Sequence, residues 1–145
     1  MTGHECSTEA ALEQFLSDFE TGVYPKQHWT HQAHVVMAAA YLTKLSREDA
    51  TQRIRTGIPA YNTAQGGENT DTAGYHESLT IFWIHIVARY LESLPEPMTR
   101  LDRVRSVAAE FGQQRGLHKD YWSFDVVNSV EARRNWVPPD RIPLR

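Results

Sequence analysis

The sequence predicts an all-α fold: a compact helical bundle of four to five helices, closed by an irregular C-terminal tail that carries proline and tryptophan. Three observations carry this expectation. Apolar residues recur at helical spacing along most of the chain, Ser and Thr stand where helices would begin, and Gly and Pro punctuate the ends. No stretch shows strand alternation. The aliphatic run Thr80 to Val87 could pass for a strand, but it stays in phase with Tyr90 and Leu94, which makes it helix. The 145 residues are read as one domain, 1–145. A chain of that length buries a core without disulfides or a structural metal.

The first helix is expected from about Thr8 to Phe19, capped by Ser7 or Thr8, with Leu12, Phe15, Leu16 and Phe19 as its apolar stripe. Gly22 and Pro25 end it. The second runs from near Thr30 to Leu45, where Val35, Ala38, Tyr41 and Leu42 form one face and Val36, Met37, Ala39 and Ala40 widen it; such a helix is buried on more than one side. Ser46, with Asp49 three residues on, opens a third helix through Ala50 and Ile54, which Gly57 and Pro59 are expected to interrupt. Asn62 to Thr72 reads as the main linker. A long helix follows from about Ala73 to Leu94, stopped by Pro95 and Pro97, and a last one spans roughly Thr99 to Phe111. Beyond Lys119 the pattern is mixed, with a short helical turn expected near Ser123 or Asp125. The prolines after Trp136 forbid a regular helix there, and Trp136, Ile142 and Leu144 are candidates to fasten the tail.

The charge of −3 is small and mixed in sign, which argues against a nucleic-acid partner. The longest apolar run, Leu79 to Leu91, is too short to cross a bilayer and holds His85 and Arg89, so no membrane partner is expected. No signal peptide is visible, and the single cysteine, Cys6, is compatible with a reducing cytoplasm, the expected location.

The chemistry-bearing residues are concentrated. His28, His31 and His34 fall within seven positions, and His76-Glu77 opens the long helix. Residues three apart share a helix face, so His31 and His34 can approach a common ion, and His76 can complete the set from a second helix. The expected ligands are therefore His31, His34 and His76, holding a divalent transition metal (zinc, nickel, iron or copper), with His28 as a further group. Glu77 is expected as general base, or to orient metal-bound water, and Tyr75 to supply a hydroxyl. Asn69, in the polar loop, is expected to contact substrate, and Trp83, seven residues after His76, to form the pocket floor. Each has a plainer alternative: surface histidines at a helix start, a capping acid, turn chemistry at Asn69 and core packing at Trp83.

Two of these segments carry a resemblance. Thr30-His31-Gln32-Ala33-His34 before an alanine-rich helix, and Tyr75-His76-Glu77-Ser78-Leu79-Thr80 opening another, resemble a small, functionally uncharacterised bacterial helical family with Thr-His-x-x-His and Tyr-His-Glu-Thr-x-Thr motifs. Ser78 stands where that family has threonine. The tail from Trp136 to Leu144 is similar to the family's ending. A more distant likeness, to metal-binding four-helix proteins of the DNA-damage-inducible type, implies a helical bundle holding a divalent ion through histidines, although the histidine placement differs.

Three functions are compatible with these residues. The first is a metal-dependent enzyme activating water or a substrate atom on a small polar molecule, as a hydrolase or lyase. The second is a non-catalytic helical module binding a metal or small ligand. The third is a metal-free oligomerising domain, in which the broad apolar faces Val35 to Leu45 and Leu79 to Tyr90 pack as a homodimer.

Overall fold

A computed structural model describes residues 4–145, His4 by its backbone alone. Six α-helices are present among them: α1 (Glu9–Glu20), α2 (His31–Leu42), α3 (Arg47–Ala64), α4 (Glu77–Ser93), α5 (Arg100–Phe111) and the short α6 (Val130–Arg134). Short 3-10 turns at His4–Cys6, Lys26–His28 and Leu117–Asp120 join them, and no strand occurs among the described residues. The all-α expectation holds. No helix of the described residues is long and apolar enough to cross a membrane.

The helix starts follow the hydroxyl residues in the sequence. Thr8, Thr30, Ser46, Thr99 and Ser129 each accept a hydrogen bond from the backbone N–H three residues on, at 3.0 to 3.2 Å. Each bond satisfies one of the donors that a helix start leaves without an intrahelical partner. The exception is α4. Its N-cap is His76, whose Nδ1 accepts from Leu79 N–H at 3.1 Å.

The expected α2 is central, as its composition requires. Ala33 and every residue from Val35 to Tyr41 are buried, and the helix packs against α1, α3, α4 and α5. Each fully buried Val or Met side chain there contributes about 1.5–3 kcal/mol relative to exposure. The helix ends at Leu42 rather than Leu45.

Two boundaries depart further from expectation. Gly57 and Pro59 do not interrupt α3, which continues to Ala64. The helix loses one backbone bond at Pro59, but its second half is fastened elsewhere. Ile58 and Tyr61 are buried, and the Tyr61 hydroxyl donates to Tyr24 O at 2.6 Å. Gly57 lets the helix approach α1, since a Cβ there would lie 2.8 Å from the Phe19 ring. At α4, residues 73–76 stay outside the helix, which begins at Glu77. Gly74 adopts φ +82° and passes so close to Glu68 O that a Cβ would meet it at 2.2 Å. This contact folds the loop back before α4 can start.

The C-terminal segment builds a second, smaller core on α4. Phe82, Trp122, Val126 and Ala132 are buried there, with Val137 and Leu144 packed against them. Trp122 Nε1 donates to Val137 O at 3.1 Å, and Ser78 Oγ donates to Asn135 O at 2.7 Å. The short helix is α6 rather than a turn at Ser123 or Asp125. Leu144 does fasten the tail, whereas Trp136 and Ile142 stay 38% and 43% exposed, and Val137 takes their place.

Candidate functional site

A cavity of about 510 Å³ opens where the starts of α2 and α4 meet the middle of α3 and the turn after α5. Its walls follow from helical spacing. From α2 come His31, His34 and Ala38, from α3 Ile54, Ile58 and Asn62, and from α4 Leu79, Trp83 and Thr80. Each set is a stripe at three- or four-residue intervals on one helix face. The loop contributes Gly74, Tyr75 and His76, and the segment after α5 contributes Arg115, His118 and Val127.

Five of the sequence-predicted site residues, His31, His34, Tyr75, His76 and Trp83, thus come together on one cavity. The volume lies within the roughly 300–1,000 Å³ common for small-molecule sites. Two ring pairs lie in the lining. Trp29 packs on His34 with ring centroids 4.0 Å apart, and Trp83 meets the edge of His31 at 4.7 Å.

The hydrogen bonds fix the state of each imidazole. A carbonyl only accepts, so the ring nitrogen facing it carries the proton. His34 Nδ1–H donates to Thr30 O at 2.8 Å, and His31 Nε2–H donates to Phe111 O at 3.1 Å. Each ring keeps its other nitrogen, Nε2 of His34 and Nδ1 of His31, as an unbonded acceptor. No buried side-chain nitrogen or oxygen among the described residues lacks a hydrogen bond, so both acceptors reach solvent-accessible space. His76 differs. Its Nε2–H donates to Val126 O at 2.9 Å while Nδ1 caps α4, so both nitrogens are engaged and the residue is only 7% exposed.

All four cavity histidines favour the neutral form. Burial is the largest cause in each, pushing His31, His76 and His118 below the usual imidazole value and His34 down to about 4. The positive charge of Arg115 adds to the lowering at His31 and His34, and the carbonyl each ring bonds opposes it. Tyr75 is pushed in the other direction, first by burial and then by its bond to Glu77, so its phenol stays protonated.

Glu77 and Asn69 are placed elsewhere. The Glu77 carboxylate accepts from Tyr75 Oη at 2.6 Å and pairs with Arg55 at 2.9 Å, its side chain only 13% exposed. It lies outside the cavity lining, one residue round the helix from His76. The general-base role expected of it has no access to a cavity ligand in this arrangement. Asn69 braces the loop: Oδ1 accepts from Asn62 Nδ2 and Tyr75 N–H, and Nδ2 donates to Pro59 O, all at 3.0 Å. Its amide is consumed, and Asn62 lines the cavity instead. His28 ends a 3-10 turn near Tyr24, and His85 accepts from Arg47 at 2.9 Å; neither lines the cavity.

The expected three-histidine metal set meets a specific obstacle. Among the described residues no group of three His, Cys, Asp or Glu side chains is arranged to hold an ion. His76 would first have to release its helix cap or Val126. As they stand, His31, His34 and His76 are not gathered into a ligand set.

Sequence reasoning missed Arg115 and His118. Both sit in a short Gly-flanked segment, Gly112 to Asp120, without enough regular structure for spacing to reveal which way they face. The clustering of histidine was the one available signal, and His118 lay outside it.

No family model matches the chain, no curated protein is detectably similar to it, and no solved structure matches it.

Proposed function

We propose that this protein binds a small polar molecule with a flat apolar body in the cavity between α2 and α4, recognising it through neutral imidazoles. The observation that carries this reading is the pair of unbonded acceptors, His34 Nε2 and His31 Nδ1, each beside a tryptophan in the lining of one cavity. A ligand with two hydrogen-bond donors satisfies both rings while its body lies against Trp29 and Trp83.

Recognition accounts for the site better than proton transfer. A general base works best with a pKa near the working pH. His34, down at about 4, is protonated in roughly one molecule in a thousand at neutral pH, and it is correspondingly weak as a base. As a hydrogen-bond acceptor it is permanently ready. Glu77 and Tyr75 act as a support: the carboxylate fixes the phenol, and Arg55 fixes the carboxylate.

The test uses 4-hydroxybenzamide, a neutral flat molecule with donors at both ends, titrated into the protein while amide and indole resonances are followed by NMR. Shifts confined to Trp29, His31, His34 and Trp83 are expected. A His34→Phe variant, which keeps a ring and removes Nε2, should bind at least about fivefold more weakly. Shifts scattered over the surface, or unchanged affinity in the variant, overturn the reading.

A second reading, a metal-dependent enzyme using zinc, nickel, iron or copper, is supported by the same two free ring nitrogens. It requires His76 to leave its backbone partners. Stoichiometric zinc uptake that is lost in His31→Ala and accompanied by disorder at the start of α4 favours this second reading over the first.

A further inference from the structure

We propose that the ligand of this cavity is a monoanionic carboxylate, held at the mouth by the guanidinium of Arg115. The proposal rests on the ligand-binding reading and names its chemical class. Among the described residues of the lining, Arg115 is the one formally charged side chain, and no Asp or Glu is present. Its guanidinium makes no hydrogen bond or ion pair to any described residue. Two neighbouring arginines are committed: Arg55 to Glu77, and Arg133 to the carbonyl of Gly74.

The cavity is therefore a basin of neutral acceptors with a single uncompensated cation at its edge. That pattern selects for charge. A cationic ligand meets Arg115 with no carboxylate to receive it. A dianion leaves one charge unmatched inside apolar walls. One carboxylate matches the planar fork of a guanidinium with two parallel hydrogen bonds. The field of Arg115 also reaches both acceptor rings, since its charge disfavours protonation of His31 and His34. Arg115, His31 and His34 line the same cavity of about 510 Å³, so one small molecule can span the cation and the two acceptors. A phosphate monoester, the alternative anion, carries close to two charges at neutral pH and is bulkier at the point of contact.

The test compares matched pairs, 4-hydroxybenzoate with 4-hydroxybenzamide and indole-3-carboxylate with indole-3-carboxamide, by NMR titration at pH 7.5. Within each pair the acid replaces the amide NH2, with its two N–H donors, by a second carboxylate oxygen and a negative charge. The acids are expected to bind wild type about tenfold or more tightly than the amides. Arg115→Ala should erase that preference, and Arg115→Lys should restore only part of it, because the ammonium keeps the charge without the fork. Arg115 is exposed, so these variants keep the fold. Equal binding of acid and amide, with shifts still centred on Trp29 and Trp83, overturns the anion assignment and leaves the cavity reading intact. Absence of cavity shifts for both pairs overturns both. Methyl phosphate binding more tightly than the acids, with the same dependence on Arg115, overturns the carboxylate in favour of the phosphate.

Discussion

The starts of α2 and α4 look alike in sequence, a polar residue and a histidine before a long apolar helix, yet they use the imidazole in opposite ways. At α2 the helix is capped by Thr30, whose hydroxyl accepts from Ala33 N–H at 3.2 Å. Capping by a neighbour leaves His31 and His34, at the first and fourth helical positions, with one free nitrogen each. At α4 no hydroxyl precedes the helix at the cap position, and His76 does that work with its own ring. The second nitrogen is then drawn to Val126 O, across 50 positions of chain, and ties the C-terminal segment to the start of α4. A histidine beside a capping residue remains available for ligands, whereas a histidine that is the capping residue becomes structural.

Acid should break this comparison most strongly. Every cavity imidazole has a folded pKa below its unfolded value, so the unfolded chain takes up protons first as pH falls. Stability is full above about pH 6.5 and declines below it. For His34 the loss continues to its folded value of about 4 and is on the order of 3 kcal/mol. Urea unfolding between pH 7 and 4 should show the decline, and His34→Phe should remove part of it. An identical pH profile in the variant would show that His34 titrates normally.

His76→Ala separates the structural histidine from the ligand-facing ones. It removes a helix cap and a buried bond to Val126, a cost of about 2 kcal/mol. Denaturant midpoints should fall accordingly, and hydrogen exchange should speed up around Val126 and the start of α4. His76→Asn, which can still cap, should recover about half. A loss no greater in His76→Ala than in His34→Phe at pH 7 would contradict the division of roles.

The smallest expected effect is that of Thr30→Ala, about 1 kcal/mol for loss of one cap. Its value lies in direction. Without Thr30 the start of α2 frays, and the cavity loses its acceptors before the bundle loses its core. Ligand affinity should therefore fall more steeply than thermal stability, read by titration and calorimetry on the same sample.

The sequence made most of the helices legible because their signals are local. Leu12, Phe15, Leu16 and Phe19 repeat at helical intervals, and Thr8, Ser46 and Thr99 stand at the starts. It misread α3 because Gly57 and Pro59 break helices by local preference, while the packing of Ile58 and Tyr61 that overrides them is long-range. It misplaced the start of α4 because the close approach of Gly74 to Glu68 O depends on how the loop closes. In the site, clustering singled out His31, His34, Tyr75, His76 and Trp83, which the folded chain brings to one cavity from α2, from α4 and from the loop that precedes α4. That Glu77 and Asn69 lie outside the cavity lining was not legible locally, because Arg55 and Pro59, their partners, come from α3.

By itself, then, the chain's order of residues determined an all-α bundle with α2 at its centre and a histidine-rich region where two helices begin. Those features depend on side-chain periodicity and on groups within a few positions of one another. Only the folded arrangement decided which imidazole nitrogens stay free, that Arg115 and His118 join the cavity, and that the tail is held by Val137 and Leu144. A hydrogen bond such as His76 to Val126 occupies a lone proton on a ring, and which carbonyl arrives to take it is settled only when distant segments pack together.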